Sequence, residues 1–322
     1  FCIFPKHYDY NLHEPITYPY EGTPCDSSVL NENNFAEYNG CAPGNDWDFT
    51  RFNPAHFQHI EKCIQALMNL GIESTALGFT AGFTGDEIQR QVEEIGVNAR
   101  FIPVDEGISR INLKLQNIEG TEINGQGPAI SREKTQQLFE MLDQLQEGDV
   151  LVLAGSIPAS MPDDIYRNIL KRLDGKGILI AVDATGNLLV NVLEYHPFLV
   201  KPNNHELGEI FGAELKDRES VIPYAKKMQE MGATNVLVSM AGEGAVLAAA
   251  DGKVYLAPAP KGKLVNGVGA GDSMVAGFLA GFERTGDYAL ALKLGIAAGS
   301  ATAFQSWLAS REDIVKLLDR PY

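Results

Sequence analysis

The chain has 322 residues, with 42 acidic against 26 basic side chains and a formal net charge of −16. This length is typical of one large α/β domain with a smaller accessory lobe. A surface of this sign repels polyphosphate backbones and anionic membranes, so we expect no nucleic-acid partner and no membrane partner. Without a long apolar run, and without a signal-peptide pattern in FCIFPKHYDY, the sequence predicts a cytoplasmic protein.

Residues 1–63 differ in composition from the rest of the chain. All four cysteines lie in this segment, at Cys2, Cys25, Cys41 and Cys63. A secreted disulfide-bonded protein would not place its bridges in this way, and these cysteines lack the spacing of a zinc site. The segment has a single valine, whereas the later chain is rich in Val, Ile and Leu. We therefore separate an anomalous amino-terminal segment, 1–63, from a domain over 64–322.

After residue 63, short apolar runs alternate with amphipathic stretches, which is the pattern of βαβ units and a parallel sheet. IQALMNLG is predicted to be the end of a helix that stops at Gly71, and STALGF is predicted to be a strand. A helix through EIQRQVEEIG is expected to begin at Gly85–Asp86, because Asp86 can accept hydrogen bonds from the first-turn amides.

The run Ser109–Leu115 alternates strictly, with Arg110, Asn112 and Lys114 on one face and aliphatic residues on the other. This pattern predicts a half-buried strand. TEIN follows closely after a glycine turn and predicts the partner strand of a hairpin. A hairpin that projects from the main sheet would form a small β lid over about residues 107–125.

Four later runs are short and apolar throughout, which is typical of strands buried on both faces of a sheet. They are DVLVLAG (149–155), ILIAVD (178–183), FLVKPN (198–203) and NVLVSM (235–240). Each run ends in polar residues, namely Ser156, Asp183, Lys201 with Asn203, and Ser239. Because the carboxyl ends of parallel strands line one crevice, we expect a ligand to bind there.

A glycine-rich turn leads directly into a helix in VNGVGAGDSMVAGFLAGF, residues 265–282. The amides of Gly269, Ala270 and Gly271 could bind one anion, because a helix amino terminus carries partial positive charge and unpaired N–H groups. Asp272 could accept the proton of an alcohol as the alcohol attacks a phosphorus atom, which is the chemistry of a small-molecule kinase. The alternative is a plain capped helix with Asp272 as its N-cap.

VNGVGAGDSMVAGF and VKPNNHELGEIFG together resemble the signature of the PfkB (ribokinase-like) carbohydrate kinases, over about residues 64–319. Within that family the chain is most similar to the 1-phosphofructokinase branch, with tagatose-6-phosphate kinase as a near relative; the segments that carry this likeness are SRINLKL, TEINGQGP, LAGSIP, VSMAGEGA and AAGSATAF. The resemblance implies a three-layer α/β/α sandwich with a mainly parallel central sheet and a small β-sheet lid.

The resemblance also implies site residues. The catalytic base would be Asp272, and the anion hole would be the amides of Gly269, Ala270 and Gly271. ATP would be bound by Lys201, Asn203, Glu206, Ser239, Gly242, Glu243 and Gly244. Mg²⁺ would be organised through water by Asn203 and Glu206. A phosphosugar substrate would be bound by Arg110, Asn112 and Ser156, and members of the family commonly form homodimers through the lid.

These positions also have simpler structural interpretations. Asn203 and Glu206 fit a helix cap with an exposed glutamate in the first turn. Lys201 fits a lysine whose stem packs on apolar surface. SMAGEGA fits a plain β-hairpin turn. A solvated strand face or an ordinary turn would equally explain Arg110, Asn112 and Ser156.

The amino-terminal segment lacks the family's sugar-contact motifs, because FQHIEK (57–62) stands where a Gly-Gly-Lys-Gly-x-Asn motif is expected. Either the segment has diverged and lost half of the sugar site, or the sequence as written departs from the natural chain before about residue 63. The favoured function is ATP-dependent phosphorylation of D-fructose 1-phosphate to fructose 1,6-bisphosphate. The alternatives are a tagatose-6-phosphate kinase and a catalytically inactive protein that binds a nucleotide or a sugar phosphate.

Overall fold

A nine-stranded sheet lies at the centre of the fold. The computed structural model describes residues 2–4, 66, 70–114, 122–155, 157–158 and 160–318, with 2–4, 112–114 and 122–124 described by their backbone. The strands of the sheet are β1 (Cys2–Phe4), β2 (Thr75–Ala81), β3 (Asn98–Val104), β6 (Val150–Ala154), β7 (Leu179–Asp183), β8 (Leu199–Val200), β9 (Asn235–Ser239), β10 (Ala245–Ala248) and β11 (Val254–Ala257). A separate two-stranded sheet pairs β4 (Asn112–Lys114) with β5 (Glu122–Asn124).

The strands of the large sheet follow the order β11-β10-β9-β8-β7-β6-β1-β2-β3. The strands β6, β7, β8 and β9 are parallel neighbours, and β2 is parallel to β3. Because β1 is antiparallel to both β2 and β6, those two strands also run in the same direction. The carboxyl ends of all these parallel strands therefore lie at one edge of the sheet, where ligands bind in open α/β folds.

The four apolar runs predicted to be buried strands all form strands, which confirms that prediction. The run over 198–203 pairs for the shortest distance, since β8 covers only Leu199–Val200. Pro202 has no N–H group to donate to a sheet ladder. Asn203 makes a single bridge to Ser239, and a helix begins directly after it. The early start of that helix is the reason for the short strand.

Helices cover both faces of the sheet. They are α1 (Gly82–Glu94), α2 (Arg132–Leu142), α3 (Ile165–Leu173), α4 (Gly186–Val190), α5 (Asn204–Phe211), α6 (Arg218–Glu230), α7 (Ala270–Thr285), α8 (Tyr288–Ala303) and α9 (Arg311–Leu318), with 3₁₀ turns at Leu193–Tyr195 and Ala241–Glu243. One core packs α1, α7, α8 and α9 on the sheet, and a second packs α2 to α6 on the opposite face. This is the predicted three-layer α/β/α sandwich. No helix in the described part of the chain is long and apolar enough to cross a membrane.

The helix α1 begins earlier than predicted. It starts at Gly82 with Ala81 as its N-cap, so the expectation that Gly85–Asp86 caps it is wrong. A residue far along the chain decides the start. The Ala81 N–H group donates to Ser109 Oγ at 3.0 Å, and the Ser109 N–H group donates to the Ala81 carbonyl at 2.8 Å. Gly85 is buried within the helix instead, where it allows close packing on β2.

The two-stranded sheet is an antiparallel hairpin, with Leu113 opposite Ile123. The hairpin is the one that the sequence predicts, but β4 is shorter than the alternating run Ser109–Leu115. Ser109 is already bonded to the end of β2, so the first part of that run does not pair with β5. Gly125 follows β5, and its N–H group donates to the Ile111 carbonyl at 2.9 Å. A Cβ on this glycine would lie 2.6 Å from the same oxygen, so only glycine fits there.

Candidate active site

Polar residues at the strand ends meet the start of α7 at one edge of the sheet. Asp183 is the last residue of β7, Lys201 follows β8, and Ser239 is the last residue of β9. A Cβ on Gly271 would lie 3.3 Å from Lys201 Nζ, so the ammonium group lies directly against the first turn of α7. The structure therefore brings two separately predicted features, the strand-end residues and the glycine-rich turn, into one crevice.

The first turn of α7 is built from small residues around one carboxylate. The N-cap is Gly269, with φ of 84°, in a region of backbone space that favours glycine. Asp272 lies in the first turn and is 4% exposed, so the alternative in which Asp272 is the N-cap is wrong. First-turn amides have no carbonyl partner within their helix and can bind an anion. The Ala270 amide makes a long 3.3 Å bond to the Gly267 carbonyl.

The helix α8 holds α7 in place from behind. A Cβ on Gly299 would lie 2.8 Å from the Ala270 carbonyl, so the two backbones are in contact. Ser273 Oγ and Thr302 Oγ1 form a buried hydrogen bond of 2.9 Å. The small residues of AAGSATAF therefore serve as a packing face, and they fix the position of the anion-binding turn.

A buried ion pair lies beside this turn. Lys201 Nζ is 3.3 Å from Asp183 Oδ1, and the two side chains are 7% and 20% exposed. Burial opposes the charge of Lys201, but the carboxylates of Asp183, Glu206 and Asp272 outweigh burial and raise its pKa. Burial raises the pKa of Asp183, Lys201 lowers it, and the nearby Asp272 and Glu206 raise it further, to about 6. The site thus has one ammonium group among three carboxyl groups, which favours a bound cation.

Asn203 and Glu206 form a capping box at the start of α5. Asn203 Oδ1 accepts from the Glu206 N–H group, and Glu206 Oε2 accepts from the Asn203 N–H group, both at 2.8 Å. The helix-cap interpretation is confirmed for the cap but wrong in expecting an exposed glutamate, because Glu206 is partly buried. It is compatible with a cation role, because a carboxylate has two oxygens and each can accept more than one contact.

The side-chain oxygens of Asn203 and Glu206 fit a magnesium ion that retains bound water molecules. Within the described ranges, no group of three His, Cys, Asp or Glu side chains is placed to hold a metal by itself. Mg²⁺ usually retains several waters and binds through one or two carboxylates together with substrate phosphates. Glu206 and Asn203, partly buried at the sheet edge, provide oxygens of this kind.

The turn between β9 and β10 joins an antiparallel pair, which confirms the hairpin interpretation of SMAGEGA. Gly244 has φ of 92°, and a Cβ there would lie 2.1 Å from the Ala257 carbonyl, so this position requires glycine. Nothing lies within 4 Å of a Cβ on Gly242. The tip of the turn, 241–243, is exposed next to Ser239 and so is open to a ligand.

Of the predicted sugar residues, the structure places Arg110 near the carboxyl end of β2. Arg110 directly follows Ser109, which is bonded to the end of β2, and it is partly buried. Asn112 is the first residue of β4. Ser156 lies outside the described residues.

Two residues at this edge are not among the catalytic and binding residues predicted from the sequence. Asp183 pairs with Lys201, and its only signal in the sequence was its place at a strand end. Tyr166, in α3, is buried, and its single O–H group is shared between the carbonyls of Ala154 at 3.0 Å and Gly155 at 3.2 Å. It therefore anchors the turn that follows β6. Nothing in the local pattern around Tyr166 distinguishes it from an ordinary core residue.

A family model described as "pfkB family carbohydrate kinase" matches residues 63–311. The chain belongs to this family. A relative of this pfkB kinase, the 1-phosphofructokinase of Bacillus subtilis (strain 168), is 48% identical over 247 residues, covering 77% of this chain and 81% of the relative. The D-tagatose-1-phosphate kinase of Bacillus licheniformis is 36% identical over 252 residues, covering 78% and 81%. The crystal structure of phosphofructokinase-2 from Escherichia coli in complex with fructose-6-phosphate matches with a TM-score of 0.72 and 25% identity, covering 80% and 84%.

These comparisons confirm the family and the fold class that the sequence motifs indicated. The pfkB kinase is a phosphotransferase that uses an alcohol group as acceptor, and it has the ribokinase-like α/β/α fold. The crevice at the carboxyl ends of the strands is therefore the candidate active site of a carbohydrate kinase.

Proposed function

We propose that this kinase transfers the γ-phosphoryl group of ATP to D-fructose 1-phosphate and forms fructose 1,6-bisphosphate. One observation carries the proposal: Asp272 is buried in the first turn of α7, and the Lys201 ammonium group lies against Gly271 in that same turn. A carboxylate base and a cation at a helix amino terminus are the groups that phosphoryl transfer to an alcohol requires. The 48% identity to a 1-phosphofructokinase supports the choice of sugar.

In the proposed reaction, Asp272 accepts the proton of the sugar hydroxyl group as the hydroxyl oxygen attacks the γ-phosphorus. A bond forms between that oxygen and phosphorus, and the bond from phosphorus to the bridging oxygen of ADP breaks. The amides of Gly269, Ala270 and Gly271 stabilise the negative charge on the transferring group. The Ala270 amide would exchange its long bond to the loop carbonyl for this anion.

ATP is proposed to lie across the ends of β8 and β9. Lys201 would bind its phosphates, and Ser239 with the turn 242–244 would bind the rest of the nucleotide. Asn203 and Glu206 would contact Mg²⁺ through water, and the ion would neutralise part of the phosphate charge. The excess of carboxyl groups over ammonium groups in the crevice supports a cation requirement.

The phosphosugar is proposed to lie near the end of β2, where Arg110, Asn112 and Ser156 would bind it. A guanidinium group can hold a phosphate with two parallel hydrogen bonds. The hairpin of β4 and β5 would close over the sugar and exclude water, which otherwise competes as the phosphoryl acceptor. We also propose a homodimer through these lids, and a cytoplasmic location because ATP is supplied there.

We propose that the kinase domain comprises 64–322, with its lid strands within about 107–125, and that 1–63 is a separate segment. The family model begins at residue 63, which supports this boundary. The backbone of β1 lies in the sheet between β2 and β6, so at least three residues of the segment would serve the domain. Intact mass with amino-terminal peptide mapping tests whether 1–63 are as written.

Steady-state turnover with ATP tests the function. We expect kcat/KM to be higher for fructose 1-phosphate than for tagatose 1-phosphate, tagatose 6-phosphate or fructose 6-phosphate. A preference for a tagatose phosphate would reassign the substrate and keep the chemistry. ATP binding without turnover of any of these sugars would instead identify a nucleotide-binding protein.

The variant Asp272→Ala tests the mechanism. Loss of the general base is expected to lower kcat by about 10³-fold. Asp86→Ala, which removes an exposed aspartate from α1, is the matched control and should leave kcat unchanged. Equal turnover of Asp272→Ala and the parent protein would contradict the proposed role of Asp272.

A further inference from the structure

We propose that Asp183 is a positioning residue that holds the ammonium group of Lys201 against the first turn of α7, where the phosphoryl group is transferred. This inference rests on the proposed function, which assigns Lys201 to the nucleotide phosphates and gives Asp183 no role. Asp183 acts on the lysine, whereas Asp272 acts on the sugar hydroxyl group.

The strand register places the two side chains next to each other. The parallel neighbours β7 and β8 pair Ala181 with Leu199. Two residues further along each strand, Asp183 and Lys201 are again neighbours, and they point to the same face because side chains alternate along a strand. Ala181 and Leu199 pack into the core that contains α7. Asp183 and Lys201 therefore continue this face beyond the end of the sheet, toward the start of α7.

The paired ammonium group contacts the helix. A Cβ on Gly271 would lie 3.3 Å from Nζ and 3.5 Å from Cε of Lys201, so the end of the lysine side chain lies against the first-turn backbone. On its other side, Nζ is 3.3 Å from Asp183 Oδ1. The ammonium group is thus held between a strand end and a helix start, both of which belong to the packed core.

Lys201 needs a partner to stay in this place. The partial positive charge at a helix amino terminus repels an ammonium group, and burial of a charge costs free energy. Lys201 is 6% exposed and has a long, flexible side chain that could turn away. Asp183 contacts the ammonium group directly, while Glu206 and Asp272 contribute through their charge. A direct contact fixes the position of the Lys201 ammonium group, whereas a charge at a distance does not.

A direct role as a magnesium ligand is the competing interpretation of Asp183. Its Oδ1 atom faces Lys201, and in the described part of the chain no trio of carboxyl, imidazole or thiol groups forms a metal site around it. The two roles differ in what restores activity. A lost metal ligand is compensated by a higher Mg²⁺ concentration, whereas a misplaced lysine is not.

The test is a double-mutant cycle with Asp183→Asn and Lys201→Met. The measurements are kcat, KM for each substrate, affinity for a non-hydrolysable ATP analogue, and thermal unfolding. We expect Asp183→Asn to lower kcat about 100-fold, the scale for a catalytic group misplaced by 1 Å, with the KM for the sugar unchanged. In the Lys201→Met background, the same change is expected to have less than about a threefold effect, because Asp183 acts through Lys201.

Two further variants sharpen the cycle. Asp183→Glu keeps the charge but moves the carboxylate by one methylene, so we expect it to fold and still to lose about tenfold in kcat. Asp143→Asn makes the same chemical change in an exposed ion pair with Arg172, and it should leave kcat unchanged. If Asp183→Asn does not fold, wild-type kcat in Asp183→Glu would overturn the proposal and a reduced kcat would support it.

Two results with Asp183→Asn would also overturn the proposal. One is an equal loss of kcat with and without Lys201. The other is recovery of activity at high Mg²⁺ concentration, which would identify a metal ligand. The affinity for the ATP analogue keeps the test separate from the proposed function. If no phosphosugar is turned over, the proposed function fails, yet a cycle in analogue affinity still shows whether Asp183 acts through Lys201.

Discussion

A methyl group added at Gly271 should lower kcat without lowering the free energy of unfolding. The Cβ of Gly271→Ala would lie 3.3 Å from Lys201 Nζ, whereas an ordinary contact is about 3.7 Å. The ammonium group must therefore move by about 0.4 Å. If a 1 Å misplacement costs about 100-fold in rate, this movement costs roughly six- to tenfold in kcat. Alanine is a better helix former than glycine, so the free energy of unfolding should stay constant or rise by up to about 1 kcal/mol.

The assay for Gly271→Ala is steady-state turnover alongside urea unfolding. The control is Gly232→Ala, in the turn before β9 at the amino end of that strand, where a Cβ would lie 2.0 Å from the Leu193 carbonyl. That change should lower the free energy of unfolding and leave the kcat of the folded enzyme near wild type. A Gly271→Ala enzyme with kcat within about twofold of wild type would refute the view that Lys201 must lie against this turn.

Three further changes test other parts of the structure. Gly244→Ala should lower the free energy of unfolding by about 3 kcal/mol or more in urea titrations, because the residue has φ of 92° and faces a carbonyl. Tyr166→Phe removes the hydroxyl contacts to the Ala154 and Gly155 carbonyls. It should therefore cost about 1 kcal/mol and raise KM for the sugar while KM for ATP stays constant. Hydrogen bonding to Arg172 lowers the pKa of Asp143 to about 2, below its usual 3.8. The ion pair therefore stabilises the fold at pH values above 3.8, and this stabilisation is lost as the pH falls toward 2. Asp143→Asn should therefore unfold at a lower temperature than wild type at pH 7, and calorimetry at decreasing pH should show the difference disappear; a constant difference would argue against the pair.

The sequence alone predicts the layers and the glycine turn at the start of α7 well, because those signals are local. A buried parallel strand is a short apolar run, and an anion-binding helix start is a glycine turn before a small-residue helix, so Gly269 and Asp272 could be found without a structure. Long-range contacts explain the rest. The start of α1 depends on Ser109, and the length of β8 depends on Pro202 and the helix behind it.

Sequence reasoning placed Asp183 at the crevice but missed its pairing with Lys201, which depends on which strands are neighbours. Asp183 is a common strand-end residue until β7 is known to lie beside β8, and the register then places it next to Lys201. Tyr166 likewise bonds to backbone carbonyls at the end of β6, and every residue type has such a carbonyl. Backbone partners of this kind leave no trace in residue type, and so no pattern could have indicated them.

The close contact between α7 and α8 has a consequence for motion during turnover. At Gly299 the two backbones touch, so neither helix can slide or rotate without opening the whole interface. Amide protons near Ser273 should accordingly be among the slowest in the molecule to exchange with deuterium, and nucleotide should slow them only by the factor by which it stabilises the whole fold. In the proposed reaction, the hairpin of β4 and β5 would move, and the pair of helices α7 and α8 would keep the anion-binding turn in a fixed position.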